Sequence, residues 1–480
     1  MSEYEAVIGL EIHVQLKTKT KLFCSCPNEY GAPPNTLVCP VCLGLPGALP
    51  VLNREALGFG VLAALALNAE IHKDSVFYRK NYFYPDLPKG YQITQYTRSI
   101  ATDGYLEFEV DGYRRKVRIE RMNVEEEAAK STHTEDGFVL LDFNRSGIPL
   151  LEIVTFPDMR SPREARVFLE RLKEILRYIG ISNCDMEKGE LRVDSNISVR
   201  PKGQEKLGVK VELKNLNSFK SVEDGLSFEM KRQMELLKAG KRVVQETRLW
   251  DEFEKVTRTM RVKEEAHDYR YFPEPDLLPV RIDDDFIISW KKRLPELPAE
   301  KKERFMRQYS LNDDLASRLV HERDVADYYE EVVRNLPREE KAFKLAANWV
   351  VTEIMRVLNE TGQRIKKLRI TPPKLAELLS FIHSGKISQT IAKEVFEKMF
   401  ASDRTASEII KEEGLETVQE ADVLEKIVDQ VIEENEELVE KYRKGKKGVL
   451  GALIGQAMKL TKGKGDPKVI RDLFLKKLGD

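Results

Sequence analysis

Two periodicities run along this chain, one that alternates residue by residue and one with the longer repeat of a helix. From Val7 to Leu16 apolar residues alternate: Ile8, Leu10, Ile12, Val14 and Leu16 fall on one face, and Gly9, Glu11, His13 and Gln15 on the other. Successive side chains of a strand point to opposite faces, so this segment is predicted to be a strand with one buried and one polar side. The pattern recurs from Leu191 to Arg200, where Leu191, Val193, Ser195, Ile197 and Val199 oppose Arg192, Asp194, Asn196, Ser198 and Arg200. Val209, Val211 and Leu213 suggest a neighbouring strand. One helix is well marked. Ser161-Pro162-Arg163-Glu164 reads as a capping box with proline at the first helical position, and Gly180 can end the helix. Between them Ala165, Phe168, Leu169, Leu172, Ile175, Leu176 and Ile179 form an apolar stripe. Several strands with a long amphipathic helix, and no regular strand–helix rhythm, predict an α+β domain.

Around Leu294-Pro295-Glu296-Leu297-Pro298 the repeat becomes helical, as in Val325, Tyr328, Tyr329, Val332 and Val333. A second helical unit starts at Thr371-Pro372-Pro373. A further boundary is expected between Ala401 and Thr405, beyond which Val423, Ile427, Val428, Val431 and Ile432 make another stripe. Three domains follow: residues 1–293, 294–404 and 405–480. The last carries Lys441, Arg443, Lys444, Lys446, Lys447, Lys459, Lys462, Lys464 and Lys468. Such a run can follow an RNA backbone or simply face solvent; the apolar residues inside it suggest a folded basic module.

Charge refines this picture. Lys+Arg (79) and Asp+Glu (80) nearly cancel, so no global field draws the chain onto nucleic acid and any RNA contact has to be local. No run approaches the roughly 20 apolar residues of a membrane span. The acidic start Met1-Ser2-Glu3-Tyr4-Glu5 lacks the order of a signal peptide, so a cytoplasmic protein is expected.

Four of the five cysteines cluster as Cys24-Ser25-Cys26 and Cys39-Pro40-Val41-Cys42. This spacing is close to that of a zinc knuckle, in which four thiolates close a structural Zn²⁺ site with no open position; the other reading is four reduced thiols. Glu11 and His13 share a strand face. Glu125-Glu126-Glu127 follows the alternating Val117/Ile119 segment, Glu152 sits in the apolar run from Ile148 to Val154, and Asp194 and Asn196 share another polar face. Carboxylates from several strands with one histidine can hold Mg²⁺ against a nucleotide's phosphates, and the residues alone leave this level with a solvated outer face. No phosphate-binding loop of the familiar kinds is present. Arg79 to Asp86, Lys89 to Gln92 and His267 to Pro273 interleave bases with aromatics, which suits either nucleotide stacking or loops packed on the sheet.

Longer motifs go further. Gly9-Leu10-Glu11-Ile12-His13-Val14, Arg79-Lys80-Asn81-Tyr82-Phe83-Tyr84-Pro85-Asp86, Asp142-Phe143-Asn144-Arg145-Ser146-Gly147, Pro149 to Val154, Leu213 to Phe219 and Asp268 to Asp276 together resemble the B subunits (GatB) of the aspartyl/glutamyl-tRNA(Asn/Gln) amidotransferases. The resemblance extends into Gly451 to Gln456 and Thr461 to Lys464. It implies a glutamine-synthetase-like catalytic cradle with a mixed or antiparallel sheet, an all-helical domain and a small helical tail that binds tRNA. It also implies ATP and Mg²⁺, used to phosphorylate the side-chain carboxylate of Glu-tRNA(Gln) or Asp-tRNA(Asn). Ammonia released from glutamine by a separate amidase subunit then completes the amide, and a small bracing subunit makes up a heterotrimer. Such an enzyme is a carbon–nitrogen ligase with glutamine as nitrogen donor. Position by position, the resemblance marks His13, Glu126 and Glu152 as Mg²⁺ ligands with Glu11 beside them, and these four as the catalytic set. Lys80 and Lys89 fall near the family's ammonia path; with Glu11, Asp194 and Asn196 they are the candidates for holding the cofactor. The chain departs from the family at Glu127, where aspartate is usual, and at Glu190, where serine is more frequent. The rival reading is a non-catalytic, zinc-containing scaffold that holds tRNA for another enzyme.

Overall fold

Alternation as long as that of Val7–Leu16 requires partners on both sides, and it has them in the computed structural model of the chain, which describes residues 3–262, 268–415, 421–461, 465 and 467–479. His267, Lys462, Lys464 and the side chain of Val423 lie outside the described residues. The chain divides into two units, one ending at Leu297 and one starting at Pro298.

The first unit is built on a sheet of nine strands: β1 (Tyr4–Gln15), β2 (Glu70–Ile71), β3 (Ala101–Val110), β4 (Tyr113–Glu126), β5 (Pro149–Thr155), β6 (Leu191–Pro201), β7 (Val211–Lys214), β8 (Glu246–Asp251) and β9 (Val256–Val262). Their order is β9-β8-β7-β6-β1-β5-β4-β3-β2, with β1 at the centre. Only β7 and β8 run parallel among the paired neighbours. Ile8, Leu10 and Ile12 of β1 share one core with Leu62 of α1 (Arg54–Ala66), Phe168 and Leu172 of α2 (Pro162–Tyr178), and Val222 and Leu226 of α3 (Phe219–Lys238). The α+β expectation therefore holds: a large mixed sheet is followed by helices.

Helix α2 starts where its sequence puts it, but only half of the expected capping box forms. Ser161 accepts from the Glu164 amide at 3.1 Å. The Glu164 carboxylate accepts instead from the Arg160 amide and the Tyr113 hydroxyl, both at 2.8 Å, and pairs with Arg115 at 3.0 Å. A buried carboxylate gains more from three partners, one of them cationic, than from a single helix-end amide, and here those partners tie α2 to β4.

The phase of β4 also departs from simple alternation. Val117 and Ile119 are buried at odd positions, whereas further on Met122 and Val124 are buried in the core at even positions. On the adjacent strand β3, Asp103 adopts a left-handed φ of +57°, and the register of β4 against β5 shifts between Val154 and Thr155. An irregularity of this kind advances the chain by one side chain and exchanges its faces.

In the second unit, helices from Pro298 to Ala401 enclose a core containing Phe305, Tyr329, Trp349 and Phe396. Leu294 and Leu297 pack against the sheet core, with the first unit ending at Leu297. Ala406, Ile409 and Ile410 of helix Ala406–Glu413 belong to the second core. A third core gathers Leu424, Val428, Val431, Leu453 and Phe474. Thr371 opens helix Pro372–His383 without a side-chain capping bond. No helix among the described residues is long and apolar enough to cross a membrane.

Candidate active site

Residues directly opposite one another in antiparallel strands share a face, so the register of β1 decides what meets His13. His13 stands opposite Glu152 of β5 and Arg192 of β6, and Glu11 opposite Asp194. Glu152 in turn faces Asn123 of β4. The polar side of the sheet centre is therefore a continuous row of ionisable groups.

His13 Nε2 lies 3.3 Å from Glu125 Oε1, 3.8 Å from Glu11 Oε1 and 3.9 Å from Glu152 Oε1. Glu125 also accepts from Thr94 Oγ1 at 2.8 Å, and Glu152 from Asn123 Nδ2 at 2.8 Å, while Asn123 Oδ1 is buried without a hydrogen-bond partner among the described residues. Burial works against a charged His13, but the Glu125 hydrogen bond and the charges of Glu125, Glu152 and Glu11 outweigh it and raise its pKa to about 9. Burial likewise opposes ionisation of Glu125, yet His13 and Lys80 hold it down at about 2. Glu152 is pushed up, first by burial and then by the neighbouring Glu125 charge. Three carboxylates around one imidazole form a site that a divalent cation would neutralise. Donor atoms of Glu11, His13 and Glu152 lie within 4.8 Å of one another, and the oxygen-rich set is the kind Mg²⁺ takes.

Glu126, expected among these ligands, is not with them. It follows the core phase of Met122 and Val124, pairs with Lys89, and accepts from the Ile93 amide at 2.8 Å. Glu125 takes its place beside His13. Lys89 thus meets Glu126, with its ammonium 5.2 Å from the Tyr91 ring. Lys80 comes closer to the cluster: its ammonium lies 5.0 Å from the Tyr269 ring and 5.9 Å from the Tyr82 ring. Burial disfavours its charge, but Glu125 more than compensates and raises its pKa. Asp194 is paired with Lys214, whose ammonium is also 3.4 Å from Glu212. Asn196 lies further along the same face, opposite Gly9 and Glu212.

The aromatic segments adjoin this row. Arg79 binds Glu274 through two hydrogen bonds of 2.7 and 2.8 Å, fastening the stretch at Tyr78–Asn81 to the one at Tyr269–Pro273. Tyr96 and Tyr271 stack with centroids 4.1 Å apart. Glu127 pairs with Arg192 and lies 4.0 Å from Arg145, and Glu190 organises its own loop by accepting from the Asp185 amide at 3.2 Å.

Cys24, Cys26, Cys39 and Cys42 converge, with sulfurs within 4.8 Å of one another, as a tetrahedral metal needs. A hydrogen bond from Cys24, a hydrogen bond from the Cys39 amide and the charge of Lys21 overcome burial and lower the Cys42 pKa to about 4. Lys21 is wholly buried, with its ammonium 2.8 Å from Leu37 O, 3.2 Å from Phe143 O and 3.5 Å from Cys42 Sγ. A buried cation beside a thiolate cluster suits a site whose four sulfurs carry more negative charge than one Zn²⁺ balances.

Asn123, Arg192 and Lys214 adjoin the cluster although sequence alone assigns them no role, and Glu125 stands out there only as part of the acidic run. For Arg192 and Lys214 a signal existed, since both sit in phase with Asp194 or adjoin it across the sheet.

Comparison with known proteins places the whole chain. The GatB/GatE catalytic domain matches residues 6–288, and the GatB domain matches residues 327–478. Proteins named as the B subunit of aspartyl/glutamyl-tRNA(Asn/Gln) amidotransferase are similar over their full length. That of Carboxydothermus hydrogenoformans is 50% identical over 482 residues, covering 100% of this chain and 99% of the relative. That of Thermodesulfovibrio yellowstonii is 48% identical over 476 residues, covering 99% of each. That of Persephonella marina is 49% identical over 472 residues, covering 98% of this chain and 99% of the relative.

Proposed function

This chain belongs to the GatB family of amidotransferase subunits, and from that premise we propose that it carries the ATP-dependent half-reaction of a tRNA-dependent amidation. The observation that supports this most directly is the ring of Glu11, Glu125 and Glu152 around His13 on the polar face of the central strands. In the proposed reaction an oxygen of the Glu or Asp side-chain carboxylate, esterified to tRNA(Gln) or tRNA(Asn), attacks the γ-phosphorus of ATP. The bond to the bridging oxygen breaks and ADP leaves. Ammonia then adds to the acyl carbon, phosphate leaves with the bonding pair, and the nitrogen loses a proton to give the amide.

A carboxylate is a poor electrophile at neutral pH, so the phosphate serves as the leaving group it otherwise lacks. Glu11, His13, Glu125 and Glu152 would hold Mg²⁺, which shields charge between the carboxylate and the γ-phosphate when bound. Lys80 lies beside this cluster and adds positive charge along one edge, where phosphate or the acylated RNA end would approach, whereas Lys89 is held by Glu126 on the other side of β4. Zn²⁺ in the cysteine knuckle would be structural, because all four positions are filled by protein. Glutamine hydrolysis belongs to a partner amidase subunit, a small third subunit completes the heterotrimer, and the basic C-terminal helices contact the tRNA backbone. A cytoplasmic ligase of protein biosynthesis results.

The experiment is ADP release by the assembled complex, with Glu-tRNA(Gln) added or withheld, for wild type and Glu152→Ala. Release that requires the mischarged tRNA and is lost in the variant is the expected result. Release that persists in Glu152→Ala moves the phosphorylation elsewhere and leaves this chain as an RNA-holding scaffold.

A further inference from the structure

Arg192 occupies an unusual position among the cations of the site. It is the β6 residue directly opposite His13, so its side chain rises from the same face as the carboxylate cluster. Its guanidinium is held from one side by Glu127, whose side chain is only 4% exposed, while that of Arg192 is 40% exposed. Glu127 is itself fixed: its carboxylate accepts from the Ala128 amide at 3.1 Å and lies 4.0 Å from Arg145. Arg145 in turn donates to Ala128 O at 3.3 Å and Ala129 O at 3.1 Å. Yet Arg192 Nε is buried and has no hydrogen-bond partner among the described residues. A buried donor left unmade is costly, and an orphan of this kind within a reaction site marks a place for an acceptor that arrives with the ligand.

We propose that Arg192 reads the side-chain carboxylate of the aminoacyl group and distinguishes it from the amide of the product. This rests on the function proposed above and names the residue that recognises its substrate. A guanidinium edge matches the two coplanar oxygens of a carboxylate, and both hydrogen bonds are charge-assisted. A phosphate dianion fits less well, because Glu127 and Asp194 flank the position and would repel the second charge. The amide of Gln or Asn offers one acceptor oxygen and turns its NH₂ donor toward the other guanidinium N–H, leaving that one unpaired. A site built to hydrogen-bond one group rejects the analogue that cannot reciprocate. Glu127 acts here through Arg192, as a positioning residue.

The test is equilibrium binding, without ATP, of Glu-tRNA(Gln), Gln-tRNA(Gln) and uncharged tRNA(Gln) to the full chain in its complex. Wild type is expected to prefer Glu-tRNA(Gln) over Gln-tRNA(Gln) by about tenfold, the order of one charge-assisted hydrogen bond. Arg192→Gln should bring that ratio close to one while leaving the affinity for uncharged tRNA unchanged. Arg192→Lys, which keeps a cation for Glu127 but loses the planar fork, should retain only part of the preference, and it decides the matter if the glutamine variant does not fold. A tenfold preference that survives in both variants overturns the proposal. So does a loss confined to binding of a non-hydrolysable ATP analogue, which would assign Arg192 to phosphate. Wild-type complex that releases ADP with Glu-tRNA(Gln) but shows either of these results separates failure of this inference from failure of the proposed function.

Discussion

Glu125 and Glu126 adjoin in sequence but face opposite sides of β4, and exchanging each for glutamine should produce two different defects. Glu125→Gln removes the hydrogen bond and the nearest charge acting on His13, 3.3 Å away. It also removes one of three carboxylates from the cluster. Loss of even an outer partner of a metal site costs about 10–100-fold in affinity, so loss of Glu125 should weaken Mg²⁺ binding at least that much. Glu126→Gln instead breaks a buried ion pair whose side chains are 4% exposed for Glu126 and 9% for Lys89. Removing one partner of such a pair leaves an uncompensated charge, at a cost of about 3–5 kcal/mol. Glutamine can still accept from the Ile93 amide, so the lower figure applies; for a unit ending at Leu297 it corresponds to a fall of roughly 5 °C in its melting temperature. Calorimetry supplies both readouts, titration with MgCl₂ for the cluster and thermal scans for the fold. Equal weakening of Mg²⁺ binding in the two variants would refute the assignment of Glu125, rather than Glu126, to the metal side.

Further outcomes are expected. In the metal-free protein His13 has its pKa raised from 6.5 to about 9, so the stability it contributes is present in full below about pH 6.5 and is lost as pH rises through about 9. The melting temperature should therefore fall over that window in wild type and stay level in His13→Asn. Mg²⁺ binding at pH 7.5 should also release close to one proton, read by titration calorimetry in two buffers of different ionisation enthalpy; no release would count against His13 as a ligand. A chain ending at Leu415 should keep the second core intact. One ending at Arg404 removes the buried Ala406, Ile409 and Ile410 and should lose roughly 1.5–3 kcal/mol per isoleucine in thermal unfolding. Both truncations should weaken tRNA binding and flatten its salt dependence, and unchanged affinity across a KCl series would remove the tail from the RNA interface.

Much of the site was legible because it rests on strands, and strands transmit phase directly from sequence to geometry. Glu11 and His13 had to share a face once Ile8, Leu10 and Ile12 were buried, and Asp194 had to share one with Arg192 and Asn196. Cys24, Cys26, Cys39 and Cys42 were legible through spacing alone. What alternation could not carry was the irregularity near Asp103 and Glu120. A pattern fixed by Val117 and Ile119 loses its phase there, so the choice between Glu125 and Glu126 lay beyond local sequence. Pairing across strands was equally hidden. Nothing in the sequence near Lys89 specifies Glu126 as its partner, nor Glu127 as that of Arg192, because those contacts depend on how β1, β4 and β6 are set side by side. The extent of each core was less legible for a related reason. Proline and polar residues mark where a helix stops, but Leu297 and Ile410 show that a core can continue past such a stop.

The cysteine knuckle and the carboxylate row are linked through one short segment, and that link would give a metal bound in the knuckle a structural role. The Leu22 amide donates to Gly147 O at 2.8 Å, and the Gly147 amide donates to Glu127 O at 2.9 Å. Ser146 Oγ donates to Cys42 O at 3.0 Å, and the buried Lys21 reaches both Cys42 Sγ and Phe143 O. Gly147 itself has φ of +82°, a conformation that favours glycine, and a Cβ there would make ordinary contact with Cys42 at 3.4 Å. The open polar face of a sheet has no loop to cradle charged ligands, and its long side chains must be immobilised by what lies behind them. Here the knuckle fixes Gly147, the Gly147 amide fixes the Glu127 backbone, and the Glu127 carboxylate fixes the guanidinium of Arg192. A metal closed on four sulfurs would take no part in bond making, but it would set the position of Arg192, the residue proposed above to meet the reacting carboxylate.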